Sequence, residues 1–274
     1  MRYIIMLMLM LMLCSSSVWA QVNAEFFRGE MPHAKWAGSL GTDLRFASGN
    51  VNLRSYALEG RLDYGDSEDF HFFVLGDAFQ GKTNGEVFDE RGFLHARMMQ
   101  NMMLFYKASV WGEMFAQSQY DRRKDLSLRQ LTGTGLRWQY EVFRVAFAVG
   151  AGAMLEYERL KSLGGGTGTV VRSTNYLSVG YVRDFFAEDT KAVLVAYYQP
   201  LYKDPSDFRV KVDLTAFTNF AVRWIQIGPS VTYAYDSRPP EGVQRQDVIV
   251  GFKLKFTFQT DPRDPRLNRS PNDP

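Results

Sequence analysis

The stretch Asp247-Val248-Ile249-Val250-Gly251-Phe252-Lys253-Leu254-Lys255-Phe256-Thr257-Phe258 decides the fold. Its even positions, Val248, Val250, Phe252, Leu254, Phe256 and Phe258, are all apolar. Its odd positions hold Asp247, Gly251, Lys253, Lys255 and Thr257, with Ile249 as the exception. Side chains of a strand alternate between two faces, whereas a helix spreads such a set around its circumference every 3.6 residues. This segment is a strand with one oily face and one charged face.

The same pattern recurs upstream. Tyr56, Leu58, Gly60, Leu62 and Tyr64 alternate with Ala57, Glu59, Arg61 and Asp63. From Phe143 to Tyr157 the odd positions are apolar, and the even ones include Arg144, Gly150, Gly152 and Glu156. Read this way the chain predicts about twelve strands, at 35–48, 51–64, 70–80, 87–106, 109–120, 127–140, 142–159, 170–184, 190–201, 207–219, 222–236 and 246–258. Most are longer than the five or six residues usual in soluble sheets, and long enough to cross a bilayer at a tilt.

The connections fall into two sets. Short ones are expected at 65–69, 107–108, 141, 185–189 and 220–221. Longer, more polar ones are expected at 81–86, 121–126, 160–169, 202–206 and 237–245, with a tight Ser48-Gly49-Asn50 turn on that same side. Short turns at one end and longer loops at the other are the habit of outer-membrane barrels, whose short turns are periplasmic. An even strand count leaves both termini on the periplasmic side.

Alternation alone fits a soluble barrel as well. Two features favour a membrane. The charged faces are padded with Gly, Ala and Ser, which suits a crowded polar lumen. The oily faces tend to end in aromatics, namely Trp36, Tyr56, Tyr64, Tyr106, Tyr120, Trp138, Tyr140, Tyr157, Tyr181, Tyr233 and Tyr235, in the manner of an interfacial girdle. The expected fold is a transmembrane antiparallel up-and-down β-barrel over residues 35–258, its first strand closing on its last because lipid cannot satisfy a free strand edge.

Residues 1–20 read as a cleaved secretory signal: Arg2, an apolar run from Ile4 to Leu13, and Val18-Trp19-Ala20 before the cut. The only cysteine, Cys14, lies within it. Residues 21–34 form a short periplasmic segment, and 259–274, with four prolines, a disordered tail. The expected location is the outer membrane, with membrane lipid and the barrel-assembly machinery as partners. Lys and Arg number 32 against 30 Asp and Glu, a balance that argues against nucleic-acid binding.

The search for chemistry is mostly negative. Neither His71 nor His95, both expected in the lumen, has the nearby serine that a rim-active lipid hydrolase needs. No spacing suggests zinc, and Gly164-Gly165-Gly166 lacks the Lys-Ser/Thr of a phosphate loop. No cofactor is expected. The inward parity instead carries balanced charge: Arg45, Arg61, Arg97, Arg137, Arg144, Arg172, Lys211, Lys253 and Lys255 facing Asp43, Glu59, Asp63, Asp77, Glu113, Glu156, Asp184 and Asp213. These residues read either as an ion-pair network filling the barrel or as the lining of a narrow polar pore.

Ser48-Gly49-Asn50, the run Leu128-Arg129 with Gly133-Thr134-Gly135-Leu136-Arg137-Trp138, and Gly150-Ala151-Gly152 followed by Glu156 together resemble the family of salt-induced outer-membrane proteins, whose biochemical function is unassigned. The resemblance runs from the first strand to about the eighth, and the proline-rich tail departs from it. It implies an outer-membrane barrel linked to envelope stress and supplies no catalytic residues. The expected role is non-enzymatic: envelope integrity or passive permeation of small polar solutes, with a closed structural barrel and a lipid-acting enzyme as alternatives.

Overall fold

The computed structural model describes residues 36–47, 53–65, 69–105, 108–142, 145–161, 167–182, 190–220, 222–240 and 242–260. Twelve antiparallel strands form a closed barrel. They are β1 Trp36–Ala47, β2 Leu53–Gly65, β3 Phe70–Thr83, β4 Glu86–Phe105, β5 Ala108–Asp121, β6 Leu126–Val142, β7 Val145–Leu160, β8 Thr167–Val182, β9 Lys191–Pro200, β10 Phe208–Phe220, β11 Val222–Asp236 and β12 Gln246–Thr260. Each strand pairs with its sequence neighbours, and β1 closes on β12.

The expected strands are all present, with ends shifted by a few residues. The last runs on through Gln259 and Thr260, which pair with Ala37 and Trp36. Among the connections described in full, one differs. In place of a longer loop at 81–86, β3 and β4 are joined by the two residues Asn84 and Gly85, with φ of 51° and 91°. Two consecutive positive φ values make the tight hairpin turn that Asn-Gly favours, and its twist lets both strands continue to the turn.

The alternation sorts the side chains with the charges inside. On β6, Leu136 and Trp138 are 55% and 45% exposed, while Arg137 between them is 4% exposed. The outer surface carries Leu, Val and Met at mid-height, among them Leu62, Leu94, Met114, Leu155, Leu177 and Leu214. Aromatics gather at both rims. Trp36 stacks near Tyr64 at 4.7 Å, Trp138 on Tyr140 at 5.8 Å and Trp224 on Phe256 at 6.1 Å, all at the end where β1 begins. Tyr198, Phe208 and Tyr235 form a chain at the other end, with spacings of 5.7 and 5.6 Å. Phe147 and Tyr157 share the outer face of β7 near its two ends. Ten residues at about 3.3 Å each, tilted by about 40°, give roughly 25 Å of height between them.

Candidate functional site

The lumen is the candidate site. Within it the polar side chains of one wall reach other walls. Tyr176 on β8 donates its hydroxyl to Glu113 on β5 at 2.8 Å, and Arg137 on β6 donates to the same hydroxyl at 3.3 Å. Arg97 on β4 lies 3.6 Å from Glu113, with its guanidinium over the Phe115 and Tyr176 rings at 5.6 and 5.8 Å. Lys253 on β12 donates to Glu59 on β2 at 2.9 Å. Lys211 pairs with Asp213 at 2.9 Å, and Thr232 donates to Asp213 at 2.6 Å. Nearer the end where β1 begins, Asp63 takes both Arg61 (2.5 Å) and His71 (2.9 Å).

The densest knot centres on Glu156, which is 1% exposed. Arg129 of β6 approaches it at 2.9 Å, Arg172 of β8 at 2.6 Å, and Arg209 of β10 closes the set. Arg209 also binds Asp236 at 2.8 Å and Glu158 at 3.2 Å. Three guanidinium groups around one carboxylate are tolerable only because Glu158, Asp207 and Asp236 surround them; Arg172 meets Asp207 at 2.9 Å. A buried pair in such a network is costly to break, since it strands a desolvated charge.

At the mouth at the other end from Trp36, one turn reaches across the ring. Asp121 caps the short 3-10 turn Arg122–Lys124 by accepting from the backbone N–H of Arg123 at 3.0 Å. That cap aims Arg123 at Asp89 of β4 (3.2 Å) and Lys124 at Asp247 of β12 (3.3 Å). The turn joins β5 to β6, so β12 stands on the opposite side of the ring.

The lumen is not polar throughout, as a charge-padded interior had suggested. Phe73 and Leu75, 0% and 1% exposed, face inward with Phe93. His95 stacks among Phe73, Phe93 and Phe115 at 5.9, 6.1 and 5.9 Å. A second apolar group joins Tyr176, Val193, Val195, Tyr197 and Phe217. The lumen glycines make room for these rings. A Cβ on Gly133 would meet Phe115 Cζ at 2.4 Å, and one on Gly150 would meet the Tyr176 ring at 2.1 Å. Gly135 and Gly152 face one another across β6 and β7, and a Cβ on Gly152 would lie 2.3 Å from Thr134 O.

Of the residues expected to line the lumen, Arg61, Asp63, Arg97, Glu113, Arg137, Glu156, Arg172, Lys211, Asp213 and Lys255 are buried, and Glu59, Asp77 and Lys253 are half-buried. Asp43 and Arg45 lie on β1, and their side chains fall outside the description. Arg144 lies outside the described residues. His71 and His95 are both buried in the lumen. Asp184, the leader and the tail beyond Thr260 also lie outside the described residues. Sequence reading missed Asp89, Arg91, Arg129, Glu158, Arg209 and Asp236. For all but Asp236, parity with Arg97, Arg137, Glu156 and Lys211 on the same strands was the available signal. The sequence marks Arg122-Arg123-Lys124 as a basic cluster in the polar connection at 121–126, beside two aspartates, but nothing in it pairs Lys124 with Asp247.

No curated protein matches the chain. Among solved structures it is similar to the NanC porin (11% identity, 82% of this chain and 100% of that one, TM-score 0.48). It is likewise similar to the KdgM porin (9%, 82% and 99%, TM-score 0.44) and the β domain of the Bordetella autotransporter BrkA (12%, 83% and 99%, TM-score 0.38). Residues 40–258 match the family described as "Protein of unknown function, DUF481".

Proposed function

The chain belongs to the DUF481 family, and from that premise we propose that it is a non-enzymatic outer-membrane barrel serving envelope integrity, its lumen closed at rest. The observation that carries the proposal is the inverted barrel, with Arg137 4% exposed between Leu136 and Trp138 at 55% and 45%. A continuous apolar belt of that kind far exceeds the few hundred Å² of apolar patch that soluble proteins expose. Between two aromatic girdles it matches the hydrocarbon core of an outer membrane. Lumen side chains that bind across strands, together with the two apolar groups, favour closure over a wide water-filled pore. The proposal includes the leader cleaved after Ala20, membrane lipid as the surround, insertion by the barrel-assembly machinery and the salt response implied by the resemblance. Protein levels after a shift to high salt test that last part.

Passive permeation of small polar solutes is the second reading. It is favoured by the slenderness of the seal at the mouth, where Lys124 and Asp247 make one partly exposed pair. Planar-bilayer conductance of the refolded mature protein beside a Lys253→Glu, Lys255→Glu double variant separates the two. A closed barrel gives no steady current from protein that shifts on a gel when boiled. Steady current whose ion preference changes in the double variant establishes the pore instead. A mature protein that stays in solution without detergent and runs identically boiled and unboiled overturns the membrane reading.

A further inference from the structure

The seam where the barrel closes is only partly paired. β1 pairs with β2 along its whole length, through twelve residues ending at Ala47↔Leu53. β12 pairs with β11 through eleven residues, from Phe256 to Gln246. Between β1 and β12, however, the register covers six pairs, from Trp36↔Thr260 to Gly41↔Lys255. Above that point, Thr42–Ala47 and Gln246–Leu254 carry a hydrogen-bond ladder on one side only. In hydrocarbon each unmet backbone group costs several kcal/mol, so a half-open seam in a membrane wall needs something to meet it.

A cavity sits at that place, and it straddles the wall. On the lumen side it is lined by Glu59, Asp77 and Lys255; on the outer side by Leu58, Phe252 and Leu254. The outer three are 59%, 40% and 37% exposed. Charge lies at its inner end: Lys253 is paired to Glu59 at 2.9 Å, and the Lys255 ammonium lies 5.8 Å from the Phe217 ring centre. Asp77 Oδ1 is buried with no hydrogen-bond partner among the described residues. The cavity therefore presents ammonium groups, an acceptor lacking a donor, and an oily exit between two strands.

We propose that the β1–β12 seam is a lateral portal, and that its cavity takes the head of a single-chain amphiphile bearing both a phosphate and an ammonium. The phosphate lies by Lys255 and Lys253, the ammonium donates to Asp77, and the chain leaves over Phe252 and Leu254 into lipid. A wholly anionic head would leave Asp77 without a donor, and a wholly cationic one would face two lysines. This inference rests on the membrane-barrel reading.

Thr42 and Leu254 are the first residues beyond the last pair, both exposed and on the outer face. The test is a Thr42→Cys, Leu254→Cys variant of the mature protein, which otherwise has no cysteine if the leader is cleaved. Native mass spectrometry in detergent, with lysophosphatidylethanolamine as probe, reads the binding. One bound molecule is expected on the wild type and on the reduced variant, with a loss of about tenfold or more in affinity after oxidation and recovery on reduction. Ala57→Trp, which fills the cavity without a thiol, gives the same loss. Asp77→Asn weakens the lysophospholipid by about tenfold and leaves a fatty acid of equal chain length unchanged. Binding that survives both oxidation and Ala57→Trp overturns the portal. A fatty acid that binds as tightly as the lysophospholipid overturns the head assignment. No probe bound to a barrel that passes the gel-shift test overturns the inference and leaves the membrane reading standing. A protein that needs no detergent overturns both.

Discussion

Lys124 Nζ lies 3.3 Å from Asp247 Oδ2, joining the turn after β5 to the strand on the far side of the ring. Both side chains are about one-fifth exposed, at 21% and 20%, so the pair is partly screened and its strength is about 1 kcal/mol or less. That is enough to bias a mouth between two positions by up to about fivefold and too little to seal it permanently. Lys124→Asp should therefore raise the frequency of brief current steps several-fold in a planar bilayer. The exchanged pair Lys124→Asp with Asp247→Lys should return it to the wild-type level. Equal behaviour of the single and exchanged variants would show that the turn is held by its own cap and not by the pair across the mouth.

The pH dependence of this lysine has a definite sign. Burial beneath the mouth holds the Lys124 ammonium below the usual lysine range, outweighing the opposing pull of Asp247. A lysine that gives up its proton more readily when folded than when unfolded adds stability as pH rises, up to the unfolded value of about 10.4. The resistance of the wild type to urea, measured against Lys124→Met, should thus increase as the pH rises toward about 10.4. A decrease over that range would mean that attraction to Asp247 outweighs burial.

How far the sequence revealed this arrangement depended on where the information lay. The twelve strands and their closure were legible because alternation is a local property, repeated in β2, β7 and β12. Parity grouped the charges strand by strand, and Arg61, Arg97 and Glu156 are buried. Parity could not foretell partners: that Arg209 meets Glu156 three strands away depends on tilt and on lengths that no strand records alone. The segment Phe70-His71-Phe72-Phe73-Val74-Leu75 is apolar on both faces apart from His71, so alternation marks its two sides weakly. Phe73 and Leu75 turn out to pack inside, where they join a cluster assembled from other strands. The half-paired seam between β1 and β12 has no sequence signature, since apart from Ile249 the two strands alternate on both sides of the point where pairing stops.

The Glu156 knot should be the stability centre of the outer half of the barrel. Glu156→Gln leaves Arg129, Arg172 and Arg209 converging on a neutral amide in a site 1% exposed. Removing one partner of a buried ion pair costs about 3–5 kcal/mol, and the neighbouring Glu158, Asp207 and Asp236 should reduce that toward the lower end. Urea unfolding followed by tryptophan fluorescence reads the loss. Adding Arg209→Gln should recover part of it, because one fewer stranded charge remains. Further loss on adding Arg209→Gln would show that Asp236 and Glu158 depend on Arg209 more than Glu156 does.

The glycines of β6 and β7 have a packing reason that sequence alone did not supply. Gly150 lies beneath the Tyr176 ring, so close that a Cβ would sit 2.1 Å from its Cε1. Tyr176 cannot yield freely, because its hydroxyl is held by Glu113 at 2.8 Å and by Arg137 at 3.3 Å. Gly150→Ala should therefore cost about 1–3 kcal/mol through overpacking, and Gly150→Ala with Tyr176→Phe should cost less than the two changes summed, since the phenyl ring is free of Glu113 and can move aside. Strict additivity in urea unfolding would mean that the backbone of β7, and not the ring, absorbs the added methyl.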